Sequence, residues 1–179
     1  MPIKISIPET ELYDEEKNLF IYIKKQDISL EHSLVSLQKW EQKWKVPFLD
    51  PNRDKTNEQM IDYIRCMTIT QNVDPYAYLA IPTSEYKKIM EYITDPMTAT
   101  TIRKDGSKNK DILTAEIIYY WMIEHGIPSE YRKWHLNQLL TLIRVFDVEN
   151  SNEKMTKQDS AAWRRQQNEA RRKALHSKG

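Results

Sequence analysis

The scarcity of glycine constrains this chain more than any other feature of its sequence. Only Gly106, Gly126 and Gly179 occur among 179 residues. Glycine supplies the left-handed backbone conformations of tight turns and lets a backbone approach a phosphate closely. The shortage therefore nearly excludes a glycine-rich phosphate-binding loop, and it predicts helices that are joined by short connections.

Length and composition are typical of one globular domain. A chain of 179 residues can bury a sizeable core, and 40% hydrophobic with 30% charged residues fits a well-solvated, folded protein. Cys66 is the only cysteine, which excludes an intrachain disulfide and favours a reducing, intracellular setting. No apolar run approaches the roughly 18 residues of a membrane span, and the N-terminus lacks the apolar stretch of a secretory signal. The sequence therefore predicts a soluble cytosolic protein without membrane contact.

The formal charge of +1 conceals an uneven distribution. Residues 154–179 contain eight lysines and arginines against Asp159 and Glu169, a net charge of +6, which leaves −5 for the rest of the chain. This pattern predicts a mildly acidic body with a basic tail. The tail is suited to an acidic protein surface, and nucleic acid is the alternative, because basic side chains displace counterions from phosphates.

The hydrophobic periodicity predicts a mostly helical α+β fold. The run "NLFIYIKK" (18–25) is typical of a strand, and "IKISI" (3–7) is its possible partner. Helical spacing of apolar residues, with capping residues or prolines at the ends, predicts five helices in the body. They run from Ser29 to about Lys45, from Thr56 to Met67, from Thr83 or Ser84 to Asp95, from Thr114 to His125 with Gly126 as C-cap, and from Pro128 to about Phe146.

Two polar segments complete the predicted organisation. The threonine-rich run and turn residues of 97–113 predict a β-hairpin. After residue 148 a polar linker precedes a basic helix from about Thr156 to Leu175, which has too few apolar residues to bury a continuous face of its own. We therefore predict a single α+β domain over 1–148 and a linker with a basic helical tail over 149–179.

No arrangement of residues indicates catalysis. Glu31, His32, Ser33 and Ser36 are residue types of a hydrolase site, but neighbouring helix residues point about 100° apart and no nucleophile elbow accompanies them. A surface or capping role is predicted for His32 instead. The four histidines lack the spacing of a metal site. The sequence thus predicts a protein that is not an enzyme and that has no catalytic residue, metal or cofactor.

The tryptophans and the arginine pairs are the candidate binding residues. Two tryptophans four positions apart share a helix face, and two arginine pairs seven positions apart lie on roughly one face of the tail. Tryptophan often anchors protein interfaces, although a core position is the commoner role for such a residue. The predicted partner-binding residues are Trp40, Trp44, Trp163, Arg164, Arg165, Arg171, Arg172 and Lys173.

Several segments, taken in order, resemble a family of small proteins encoded among the virion-structure and tail-assembly genes of tailed bacteriophages. The resemblance spans about residues 28–175, and the chain departs from the family by the polar insert "TIRKDGSKNKD" after Thr100. Members are usually labelled tail assembly chaperones. The matching segments are "ISLEHSLVSLQKWEQKWKVPFL", "IDYIRCMT", "PMTATT", "AEIIYYWM", "KWHLNQLLTLIRV" and "NEARRKAL".

The resemblance implies a non-enzymatic chaperone that shields an aggregation-prone tail component, such as the tape measure, in the host cytoplasm. Its partners would be other phage tail or virion proteins, with self-association as a further option. Two alternatives stay open. The chain could be a permanent virion component, such as a tail, connector or baseplate ring subunit, or a head or packaging protein that contacts DNA through its basic tail.

Overall fold

The computed structural model describes residues 2–15, 17–100 and 112–150. It contains two small antiparallel two-stranded sheets and is otherwise mostly helical, which confirms the predicted α+β class. Backbone contacts group residues 1–141 into one unit and 142–179 into another. The predicted division at residue 148 stays a prediction.

The N-terminal region is one long hairpin rather than a pair of strands. In both of its ladders the numbers of the paired residues add to 33, so the two sheets share one register that is interrupted at 8–9 and 24–25. Pro8 lies at the interruption, where it has no N–H to donate. Strand β1 (Ile3–Ile7) pairs with β4 (Gln26–Leu30), and β2 (Thr10–Asp14) pairs with β3 (Leu19–Ile23).

This pairing corrects one prediction and confirms another. The strand expected within 18–25 is present as β3, but its partner is β2 and not residues 3–7. The partner of residues 3–7 is β4, whose last two residues, Ser29 and Leu30, were predicted to begin a helix. The inner half of the hairpin supplies buried side chains from both strands, namely Ile5, Ile7, Ile28 and Leu30.

Within the described residues, five α-helices and two short 3₁₀ helices follow the hairpin. Helix α1 packs against both α2 and α4, and the buried residues Leu34, Leu37 and Trp40 place it at the centre of the core. The helices are α1 (Leu34–Trp44), α2 (Asn57–Met67), α3 (Thr83–Thr94), α4 (Ala115–Glu124) and α5, whose described part is 136–150; the 3₁₀ helices are Ala77–Ala80 and Ser129–Lys133.

The predicted limits of α2, α3 and α4 are confirmed. Thr56 and Gln59 form a capping box, in which each side chain accepts the other residue's backbone N–H, at 3.2 and 3.1 Å. Helix α3 begins at Thr83 and ends before Asp95. Gly126 follows α4 with φ of 63°, a left-handed conformation that suits glycine.

The beginning of α1 was predicted wrongly. Ser29 lies in β4, and Ser33 is the N-cap. The Ser33 N–H donates to Ser36 Oγ at 2.9 Å, and the Ser36 hydroxyl donates back to the Ser33 carbonyl at 2.8 Å. The segment before Ser33 stays extended because its backbone groups pair with β1.

The helix predicted over 128–146 is interrupted. The 3₁₀ helix Ser129–Lys133 ends before Trp134, and α5 begins only at residue 136. At the break His135 forms an isolated β-bridge with Ser33, and the Leu136 N–H donates to the His32 carbonyl at 2.9 Å. Backbone groups that a continuous helix would use internally therefore bind the start of α1.

Two predicted elements lie partly or wholly outside the described residues. The hairpin predicted near 97–113 has its centre, 101–111, outside the described residues, and its described flanks contain no strand. The tail helix predicted over 156–175 lies outside them entirely. Among the described helices, none has the length and apolar character that a bilayer crossing requires.

Candidate interaction surfaces

His32 is a core residue, which corrects the surface or capping role predicted for it. Its exposed fraction is 2%, and its Nδ1 lies 2.6 Å from the Tyr63 hydroxyl. Its ring centre is 5.0 Å from that of His135. The His135 Nε2 in turn lies 2.8 Å from the Tyr92 carbonyl oxygen. The two imidazoles therefore join residues from the start of α1, from α2, from α3 and from the break before α5.

The pKa of each of these two histidines is lowered, which favours the neutral imidazole. Burial, together with the neighbouring imidazole of His135, lowers the pKa of His32 to about 3. Burial also lowers the pKa of His135, against the opposing effect of its bond to Tyr92. Because a carbonyl oxygen only accepts, Nε2 of His135 carries its proton, and Nδ1 has no hydrogen-bond partner in the described part of the chain. The burial of both rings and their bonds to neighbouring residues are typical of a structural cluster.

Glu41 on α1 is a second buried polar group with a structural role. Its Oε1 accepts the Phe48 N–H at 2.9 Å, and its Oε2 accepts the Ala115 N–H at 2.8 Å. Burial raises the pKa of Glu41, while these two backbone donors act in the opposite direction. The carboxylate thus ties the segment after α1 and the N-terminus of α4 to α1. No sequence motif marks it, since both donors are backbone groups.

The two tryptophans of α1 differ in exposure. Trp40 is 1% exposed, and its indole N–H donates to the Gln59 carbonyl at 2.9 Å, so it belongs to the contact between α1 and α2. Trp44 is half-buried and donates to Asp62 Oδ2 at 2.8 Å, beside the ion pair of Asp62 with Lys43. Of this predicted pair, only Trp44 retains surface that a partner could contact.

The other predicted binding residues have no described position. Trp163, Arg164, Arg165, Arg171, Arg172 and Lys173 all lie outside the described residues.

Helix α4 has an apolar surface that the sequence analysis did not single out. Its sequence AEIIYYWMIE contains two charged residues, both glutamates. Ala115, Ile118 and Met122 point into the core, whereas Tyr120 is 61% and Ile123 is 80% exposed. A helix that is apolar on all sides is normally buried on all sides. We call Glu116, Tyr120 and Ile123, which are neighbours at helical spacing, the α4 outer face.

The outer half of the hairpin has a second exposed surface. Glu11 lies opposite Tyr22, and Tyr13 opposite Phe20, so these four side chains share one face of the ladder. Phe20 is 71% exposed, and its ring centre is 5.1 Å from that of Tyr13. Tyr22 is 50% exposed, and its hydroxyl donates to Glu9. We call Glu11, Tyr13, Phe20 and Tyr22 the aromatic hairpin face.

The tip of the hairpin contacts the body of the protein. Lys17 Nζ donates to the Tyr76 hydroxyl at 2.6 Å and forms an ion pair with Asp14 at 3.3 Å. These hydrogen bonds raise the pKa of Lys17, that with Tyr76 most strongly. At the turn Asn18 adopts φ of 52° and accepts a hydrogen bond from Tyr13. Near its turn the hairpin that carries the aromatic face therefore contacts the body of the protein through Tyr76.

Comparisons with protein-family models, with curated proteins and with solved structures each found no match. In the parts of the chain that the structure describes, no three His, Cys, Asp or Glu residues are placed to hold a metal ion.

Proposed function

We propose that this chain is a non-enzymatic tail-assembly protein of a tailed bacteriophage. It binds an aggregation-prone tail component through the α4 outer face and keeps that component soluble until assembly. The exposure of Ile123 and Tyr120 on an almost wholly apolar helix is the observation that carries the proposal. The resemblance of the sequence to tail-assembly proteins supports the same conclusion.

The α4 outer face has the chemistry that such a client site requires. Covering a fully exposed isoleucine side chain is worth roughly 1.5–3 kcal/mol, and tyrosine is a frequent anchor of interfaces. Glu116 borders the two apolar side chains on the same helix face. A carboxylate at the border keeps the unoccupied protein soluble and discourages self-association through this face.

The experiment is co-expression of the full chain with the tail proteins of the same phage, followed by affinity capture. Ile123→Glu places a charge in the client contact, so we expect it to lower client capture and the soluble fraction of the client at least about tenfold, which corresponds to 1.4 kcal/mol. Ile69→Glu is the matched control, because Ile69 is likewise an exposed isoleucine, at 50%, but lies outside α4. Equal capture by both variants would contradict the α4 site.

A permanent virion component is the second candidate. In the described residues, β2 and β3 pair only with each other, so both edges of the outer hairpin are open. Open strand edges are commonly covered by a neighbouring chain. Mass spectrometry of purified particles separates the two candidates. A chaperone would be abundant in the infected-cell lysate and missing from particles, whereas a structural component would be present at a fixed copy number.

A further inference from the structure

The aromatic hairpin face has a chemistry that selects a cationic partner. Tyr13, Phe20 and Tyr22 expose ring surface next to the carboxylates of Glu9 and Glu11. An aromatic ring attracts a guanidinium above its face, and a carboxylate binds a guanidinium through paired hydrogen bonds. A surface that combines both is suited to arginine more than to lysine, because the planar guanidinium can stack and form paired bonds at once.

The same carboxylates disfavour contact between two copies of this face. Symmetric docking would bring Glu9 and Glu11 of one copy towards those of the other, and closely opposed like charges are destabilising. Neither residue forms a salt bridge with a described cation. Among the described residues the face therefore has no cationic partner, so it can accept a cationic segment of a second copy.

The chain itself contains a segment of the required composition. Residues 163–173, "WRRQQNEARRK", have four arginines and one lysine against a single glutamate, together with a tryptophan. The segment belongs to the part of the sequence with a net charge of +6, and the hairpin belongs to the part with −5. We propose that the aromatic hairpin face of one copy binds residues 163–173 of a second copy.

This contact is directional. Each copy provides one face and one segment, so the two surfaces in the contact differ, and repetition closes into a ring or continues as a filament. The biological meaning of this inference rests on the proposed function. It extends that function, because the protein would bind a second copy of itself in addition to the client that contacts α4.

Two complementary variants of the full chain test the direction of binding. One carries Glu11→Lys with Phe20→Ser, which removes the face, and the other carries Arg171→Glu with Arg172→Glu, which reverses charge in the segment. Light scattering after size-exclusion chromatography should show an assembled wild type, and each variant alone should associate at least about tenfold more weakly. An equimolar mixture has one intact face and one intact segment, so it should form a heterodimer and nothing larger.

Several results would overturn the inference. They are a wild type that stays monomeric at every concentration, variants that assemble as the wild type does, or a mixture that forms no heterodimer. High salt should also weaken wild-type assembly, since screening acts on exposed charges. Assembly that salt does not affect would count against a cationic partner.

A cross-linking experiment tests the proposal even if the hairpin variant fails to fold. A photoreactive phenylalanine analogue replaces Phe20 alone in the full chain, and isotopically labelled and unlabelled copies are mixed before irradiation. Cross-links from position 20 to residues 163–173 of the differently labelled copy are expected. Cross-links confined to one copy, or to other segments, would refute the proposal. No other phage protein is present, so failure here leaves the Ile123 client test unaffected, and failure of that test leaves this one intact.

Discussion

At the scale of single residues, the core of this protein depends on polar groups that the sequence did not mark. His32 follows Glu31 and precedes a serine, which is typical of a surface position, yet it lies against Tyr63 and His135. Its burial depends on a residue about a hundred positions later in the chain. A sequence pattern that spans one helix cannot report such a contact, and this is why the prediction for His32 failed.

The buried imidazoles should make the protein sensitive to acid. The folded state holds the pKa of His32 at about 3, below its ordinary value of 6.5, so the unfolded state binds the proton more strongly between these values. The contribution of His32 to stability is therefore complete above pH 6.5 and is lost as the pH falls towards 3. We expect the free energy of unfolding to decrease by about 1 kcal/mol per pH unit in this window.

Urea unfolding at a series of pH values measures this slope. His32→Gln should unfold at lower urea concentration at pH 7 and yet show a shallower decrease on acidification, because it removes the titrating group. A slope that is unchanged in this variant would exclude His32 as the source.

Glu41 allows a second prediction at the same scale. Glu41→Gln replaces one of two acceptor oxygens with an amide that can only donate, so one backbone N–H, of Phe48 or Ala115, would lose its partner. The free energy of unfolding should fall by about 2 kcal/mol. Glu116→Gln is the control for the loss of one negative charge near α4, and we expect it to change stability by less than about 0.5 kcal/mol. Equal effects would show that charge, and not the acceptor, matters.

At the scale of elements, the helices were easier to predict than the strands. Helix α2 begins at the capping box of Thr56, and α3 follows Pro82 and ends before Asp95, so local information suffices for these limits. The segment "DISLEHSLVSL" satisfies both a strand and a helix period, and only its pairing with Ile3–Ile7 decides that its first residues are extended. The break at Trp134 likewise depends on a bridge to Ser33, which no local pattern contains.

The two halves of the hairpin should differ in their contribution to stability. Ile5 in the inner half is 2% exposed, whereas Leu19 in the outer half is 43% exposed. Ile5→Ala leaves a cavity and should cost about 2–5 kcal/mol, while Leu19→Ala should cost less than about 1 kcal/mol. Chemical denaturation of both variants makes the comparison. Similar losses would mean that the outer half is as firmly packed as the inner half.

At the scale of the whole molecule, the composition predicted the fold class but not the exposed apolar surfaces. Few glycines and regular helical spacing led to a mostly helical α+β fold, because these features act through the backbone of every element. The exposure of the α4 outer face and of the aromatic hairpin face could not be predicted. Apolar residues on strands and helices normally indicate burial, and only the assembled fold shows which of them remain outside.

The shared register of the two hairpin ladders restricts how this chain can change during evolution. A one-residue insertion in β2 alone would shift every side chain beyond it to the opposite side of the ladder, and Ile28 and Leu30 of β4 would lose their places opposite β1. Lengthening both outer strands by the same number of residues avoids this, since the inner pairing is left intact. The length of the outer half of the hairpin can therefore vary among descendants of this sequence only by matched changes on both strands, while the pairing of β1 with β4 is retained.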